Sequence, residues 1–200
     1  MKLSYVKDGK KVSIDTQNSI ALRDLITEDG TNSIELQNEK DNRVYVRLVQ
    51  GGKLPLGKEL AVQSKLQVTT AFVDGNNKAI DVTKLSQGTE FLAKISVSND
   101  SRDYVDNVAL SQIFPSGWEI VNTRFTADGG GTEGNARYTD IRDDRVNFYF
   151  DLSKGETKSF TVRLNASYQG KYYLPGSQAE AMYDNTFYAR NKGRWINVQK

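Results

Sequence analysis

Strict two-residue alternation constrains this chain more than any other feature. Phe91, Ala93, Ile95 and Val97 alternate with Leu92, Lys94, Ser96 and Ser98. Phe160, Val162, Leu164, Ala166 and Tyr168 alternate with Thr161, Arg163, Asn165 and Ser167, and Val146, Phe148 and Phe150 with Asn147, Tyr149 and Asp151. Successive side chains of a strand point to opposite faces, so each run predicts a strand with one apolar face, as antiparallel sheet packed on one side requires. Leu66-Val68-Thr70-Phe72 and Val44-Val46-Leu48 are weaker versions. Turn signals lie between them at Asp8-Gly9, Asp29-Gly30, Asp74–Asn77, Ser116-Gly117 and Lys154-Gly155. No window of a dozen residues carries a 3.6 period. The expected fold is all-β: an antiparallel β-sandwich of about seven strands.

A seam falls near Gln50–Gly57. Before it, short strands are expected at Leu3–Val6 with Val12–Ile14, Ile20–Leu22 with Ser33–Leu36, and Arg43–Val49. Fewer than sixty residues with no dense apolar cluster make a poor independent core. Residues 1–56 are therefore expected to be part of a sheet whose other strands lie elsewhere, leaving an unpaired edge, and 57–200 to be the complete sandwich. The stretch Asp128–Gly134 reads as a loop tip, since it lacks the Gly-Lys-Ser/Thr ending of a phosphate loop.

Composition removes most chemistry. The chain has no Cys and no His, which excludes thiol nucleophiles, disulfides, His-based triads and almost every zinc site. No cofactor or metal is implied. A net charge of +2, with basic and acidic residues interspersed, makes no case for nucleic acid or an anionic membrane surface. No signal peptide is visible at Met1–Ser4, and no apolar run approaches the ~18 residues of a membrane span. Asp140, Asp143, Asp144 and Asp151 are candidates for calcium or for a glycosidase carboxylate pair. Arg142 and Arg145 compete for the same oxygens, so the aspartates are expected to cap a turn, paired with the arginines. Tyr172, Tyr173, Tyr188 and Trp195 are candidates for stacking on sugar rings or for filling the ends of the sandwich. No catalytic constellation emerges.

Five segments taken together carry a resemblance: Thr89–Asn99, Leu110–Ile120, Asp140–Val146, Ala166–Pro175 and Ala179–Asp184. In order and spacing they resemble the C-terminal macroglobulin-type domain of bacterial alpha-2-macroglobulins, over nearly all of 57–200. The leading segment, with Asn42–Gln50, resembles the returning half of the CUB domain, into whose sheet that family inserts its thioester domain. The resemblance implies a non-enzymatic part of a protease trap: a periplasmic, lipid-anchored parent chain, cleaved in a bait region, that captures its target protease. Its partners would be the thioester-type domain, the other macroglobulin domains and the protease, with no membrane contact by these residues.

The same resemblance implies a role for Met182 and Tyr183, which fall on a Met-Tyr motif that packs over the thioester and keeps water from it. A thioether beside a phenol makes an adaptable apolar lid. Two departures bear on it. Asp184-Asn185 follows where some members have a proline, and some bacterial relatives lack the thioester. Closing the end of the sandwich is the other role open to the pair. Residues 121–138 are polar and glycine-rich, so the receptor-contacting helix of the vertebrate inhibitors has no counterpart. A carbohydrate- or protein-binding module of a periplasmic or surface protein is the alternative function.

Overall fold

A computed structural model describes residues 2–7, 10–23, 34–49, 51, 54–121 and 136–200. The expected turns at Asp8-Gly9 and Asp29-Gly30, the glycine patch at 128–134, and part of the seam at 50–57 lie outside the described residues. The chain divides into two compact units, Met1–Gly52 and Lys53–Lys200.

The first unit is a three-stranded antiparallel sheet, β1 (Lys2–Lys7), β2 (Lys10–Asp15) and β3 (Glu35–Asn38), in the order β2-β1-β3. Leu3 pairs with Ile14 across the ladder, and both are buried. Two expected strands do not form. Ile20–Leu22 and Arg43–Val49 join no ladder, and Ile20, Leu22, Tyr45 and Val49 are 74–85% exposed. Alternation specifies a face, but a strand also needs a neighbour for its N–H and C=O groups. Among the described residues β2 and β3 each pair only with β1. Leu3, Tyr5, Ile14, Leu36, Val44 and Leu48 line an apolar cleft of about 610 Å³.

The second unit holds β4 (Val62–Ser64), β5 (Leu66–Val73), β6 (Lys84–Ser86), β7 (Glu90–Asn99), β8 (Val105–Ile113), β9 (Trp118–Ile120) and β10 (Tyr138–Ile141). It continues with β11 (Arg145–Leu152), β12 (Thr157–Ala166), β13 (Gly170–Leu174), β14 (Gln178–Ala181), β15 (Tyr188–Arg190) and β16 (Arg194–Gln199). No helix occurs among the described residues. Among the described residues thirteen strands replace the seven or so expected, because six of them (β4, β6, β9, β10, β14, β15) are only three or four residues long and too short to carry a period. Ten strands form one ribbon, β10-β11-β8-β14-β15-β4-β5-β7-β12-β9, which turns a corner where β4 meets β5 through the single pair Ser64↔Leu66. The two leaves face each other. Phe148 on β11 stacks on Phe160 of β12, with ring centroids 4.4 Å apart, and Phe150 lies 4.7 Å from the same ring.

The alternating runs supply this interface as anticipated. Phe91, Ala93, Ile95, Val97, Val146, Phe148, Phe150, Phe160, Val162, Leu164 and Ala166 are all at most 2% exposed. Tyr168 leaves the pattern: the strand ends at Ala166, and the Tyr168 hydroxyl donates to Glu119. A third sheet, β13-β16-β6, adds Leu174, Ile196, Val198 and Leu85 to the same core, with β16 and β6 parallel.

Candidate functional site

Met182 and Tyr183 stand at the tip of the β14–β15 hairpin, 53% and 81% exposed. The ring buried at this end of the unit is their neighbour Phe187, 4% exposed. The turn between them is built by side chains. Asp184 Oδ1 accepts from the Thr186 N–H at 2.9 Å and from its hydroxyl at 2.7 Å, an Asx-type turn. The Phe187 N–H donates to Asp184 O, and the Ala181 N–H to Phe187 O. The Thr186 hydroxyl, then its N–H, holds the Asp184 carboxyl below the usual carboxylate range.

Two further elements grip the tip from its sides. The Met182 N–H donates to Asn107 O at 3.0 Å, extending the β8–β14 ladder past Ala181↔Val108. Asn107 has a left-handed backbone, φ +51°, and its N–H donates to Asp151 Oδ1 at 3.0 Å. The Asp151 carboxyl is desolvated, yet the Asn107 N–H, the Tyr104 hydroxyl and Arg137 outweigh that and hold it low. On the other flank the Ser64 hydroxyl donates to Thr186 O at 2.8 Å. An exposed apolar pair thus rides on a backbone with little freedom. Glu180, Asp184 and Tyr188 line a shallow concavity beside it.

The other candidates are engaged differently. Arg142 Nε lies 2.9 Å from Asp140 Oδ2, and Arg145 grips Asp144 with two bonds of 2.9 and 2.7 Å. Both arginines pair with aspartates as expected, but each pair joins residues one or two apart on its own side of the turn instead of crossing it, and the Asp144 carboxyl is held low chiefly by Arg145. Among the described residues no group of three acidic side chains converges as metal ligands would. The Tyr172 ring packs over Gly117, where a Cβ would lie 2.2 Å from it. Tyr173 donates to Glu59, accepts from the Gly57 N–H at 3.1 Å, and meets Trp195 edge-on at 5.3 Å. Burial first, and Glu59 second, push the Tyr173 hydroxyl above its ordinary pKa. Tyr188 lies on β15 of the ten-stranded ribbon, whereas Tyr172 and Tyr173 on β13 and Trp195 on β16 belong to the three-stranded sheet.

Sequence reasoning missed the supports of the tip. Asn107 and Lys65 are non-glycine residues at positive φ, and both are joined to the tip by contacts formed only in the folded chain. No local pattern marks such positions.

The family pattern described as the bacterial alpha-2-macroglobulin MG10 domain matches residues 60–185. The chain is similar to the alpha-2-macroglobulin of Pasteurella multocida (strain Pm70), 27% identical over 99% of this chain and 10% of that protein. It is also similar to that of Rickettsia conorii, 24% identical over 86% of this chain and 9% of that protein. In structure it resembles the native conformation of Escherichia coli alpha-2-macroglobulin, with a TM-score of 0.64 at 16% identity over 74% of this chain and 10% of that one. The trypsin-activated Escherichia coli protein gives 0.64 at 18% identity over 74% of this chain and 11% of that one. Salmonella alpha-2-macroglobulin reacted with methylamine gives 0.62 at 20% over 71% and 10%. At these identities the structural likeness speaks for the fold. The chain spans about a tenth of the length of the curated relatives it matches.

Proposed function

Because the chain belongs to the bacterial alpha-2-macroglobulin MG10 family, we propose that it serves as the non-catalytic C-terminal module of a protease trap. In that role it packs against a thioester-type domain of a longer parent chain and shields it. The observation that carries the role is the exposure of Met182 and Tyr183 on a backbone fixed from three sides. Ordering an interface loop costs conformational entropy on docking, and a pre-built tip has lost most of it beforehand. An acyl group activated for attack survives where water is excluded, and a thioether beside a phenol ring covers an irregular apolar surface well. The first unit acts in this scheme as a partial CUB-like sheet, whose apolar cleft is covered by strands of the parent chain. The parent is expected to be exported to the cell envelope and lipid-anchored, with target proteases as its partners.

The test compares Met182 in two settings. Peroxide oxidation of Met182, followed by mass spectrometry, is expected to be fast in the 200-residue chain. In the full-length protein it should be at least about ten-fold slower, equivalent to ~1.4 kcal/mol of closure. Equal rates would sink the docking role. Where the parent bears a thioester, Tyr183→Ala should also hasten its reaction with methylamine.

A further inference from the structure

Lys65 is the single residue between β4 and β5, at the corner where the ten-stranded ribbon turns from one leaf to the other. Its backbone is left-handed, φ +59°, a conformation that an unbranched non-glycine side chain adopts only when its surroundings hold it there. The Lys65 carbonyl accepts from the Asp100 N–H at 2.8 Å, and the residue bridges to Tyr188 at the start of β15. The result is a lysine whose side chain crosses to the Met182–Tyr183 hairpin, more than a hundred residues later in the chain.

There the ammonium makes two contacts. Lys65 Nζ donates to Thr186 Oγ1 at 2.9 Å, and it lies 4.5 Å from the centroid of the Phe187 ring. The Thr186 hydroxyl, accepting from Lys65, donates onward to Asp184 Oδ1 at 2.7 Å. An ordered relay of ammonium, hydroxyl and carboxylate therefore runs from the corner to the residue that follows Tyr183. Ser64, next to Lys65, holds the Thr186 carbonyl at the same time. Hydrogen bonds with an ionised partner are stronger than neutral ones, and a cation over a ring adds attraction even where, as at Lys65, the cation is exposed.

We propose that Lys65 is a positioning residue for the Met182–Tyr183 tip. By tying Thr186 and Phe187 to the β4–β5 corner, it holds the hairpin in the orientation in which the pair docks. The inference rests on the docking role proposed above.

The decisive variant is Lys65→Met in the full-length protein. Methionine is also unbranched, so the left-handed backbone is no more strained, while the charge, the donor and the cation–π contact are lost. Peroxide oxidation of Met182 in that variant is expected to run about three-fold faster than in the wild-type full-length protein, the size of one exposed cation–π contact. Lys65→Arg should restore the wild-type rate, and Thr186→Val, which removes both the acceptor for Lys65 and the onward donor to Asp184, should lose at least as much. In the 200-residue chain, where Met182 is already open to solvent, its oxidation should not change, whereas the amides of Thr186 and Phe187 should exchange faster. Wild-type protection of Met182 in full-length Lys65→Met would overturn the positioning role and leave docking intact. A wild-type Met182 that oxidises equally fast in both settings would overturn docking, and the positioning role with it.

Discussion

Asn99, at the end of β7, is fully buried and ties three stretches of backbone together at the Met182–Tyr183 end of the sandwich. Its Nδ2 donates to Asp103 O at 2.7 Å and Ser153 O at 3.2 Å, and its Oδ1 accepts from the Ser101 N–H at 3.0 Å and the Ser101 hydroxyl at 2.7 Å. Leucine at this position has nearly the same shape and none of these bonds. Each lost bond costs about 0.5–1.5 kcal/mol net, and a buried group left unpaired costs roughly 1–3. Ser101 and Asp103 lie near the surface and recover water, so the expected loss for Asn99→Leu is about 3 kcal/mol, nearer the low end of that sum. For a unit of this size that is a fall in Tm of roughly 6–12 °C. Urea unfolding is the assay, and the midpoint should fall with an unchanged slope, because the surface exposed on unfolding is the same. A loss below ~1 kcal/mol would refute the hub. Asn99→Asp separates shape from bonding. It turns an acceptor toward two carbonyl oxygens, which raises the folded pKa of the new carboxyl. Its deficit should therefore be smallest below the ordinary carboxylate pKa near ~3.9 and grow as pH rises toward the raised value.

Phe160→Ala removes the ring that Phe148 and Phe150 clasp across the two leaves, and should cost about 3–5 kcal/mol in the same assay. Gly176→Ala should cost at least ~2 kcal/mol, because the new Cβ would lie 2.0 Å from the Asn191 carbonyl oxygen, which belongs to backbone and cannot swing aside. The Asp184 carboxyl should titrate below the ordinary range when followed by NMR, and Thr186→Val should bring it back up, since the Thr186 hydroxyl is the largest cause of the depression. The stability linked to Asp184 should be complete above the unfolded pKa near ~3.9 and vanish as pH falls through the lower folded value.

Much of the fold was legible because strand alternation is local. The faces of β7, β11 and β12 are written in consecutive residues, and a face that is apolar over eight to ten residues has to be buried. The Asp140–Arg145 turn was legible for the same reason, since its ion pairs join residues one or two apart. The pattern at Val44–Leu48 misled because alternation describes a strand's faces and says nothing of whether a neighbour exists to complete its ladder. The three-residue strands β4, β6, β9 and β15 were illegible for want of length.

The candidate site divides along the same line. Its exposed pair was visible in the sequence as two bulky side chains, Met182 and Tyr183, beyond a strand. Everything that aims them came from the tertiary structure: Asn107 beneath Met182, Ser64 and Lys65 beside Thr186, and Asp151 behind Asn107. Those contacts join residues tens to more than a hundred positions apart, and their hydrogen bonds form only where strands far apart in sequence lie side by side. By itself the chain's order determined which side chains would be buried in the sandwich; only its closure decided which residues would hold the tip, since no neighbour along the sequence records a neighbour in space.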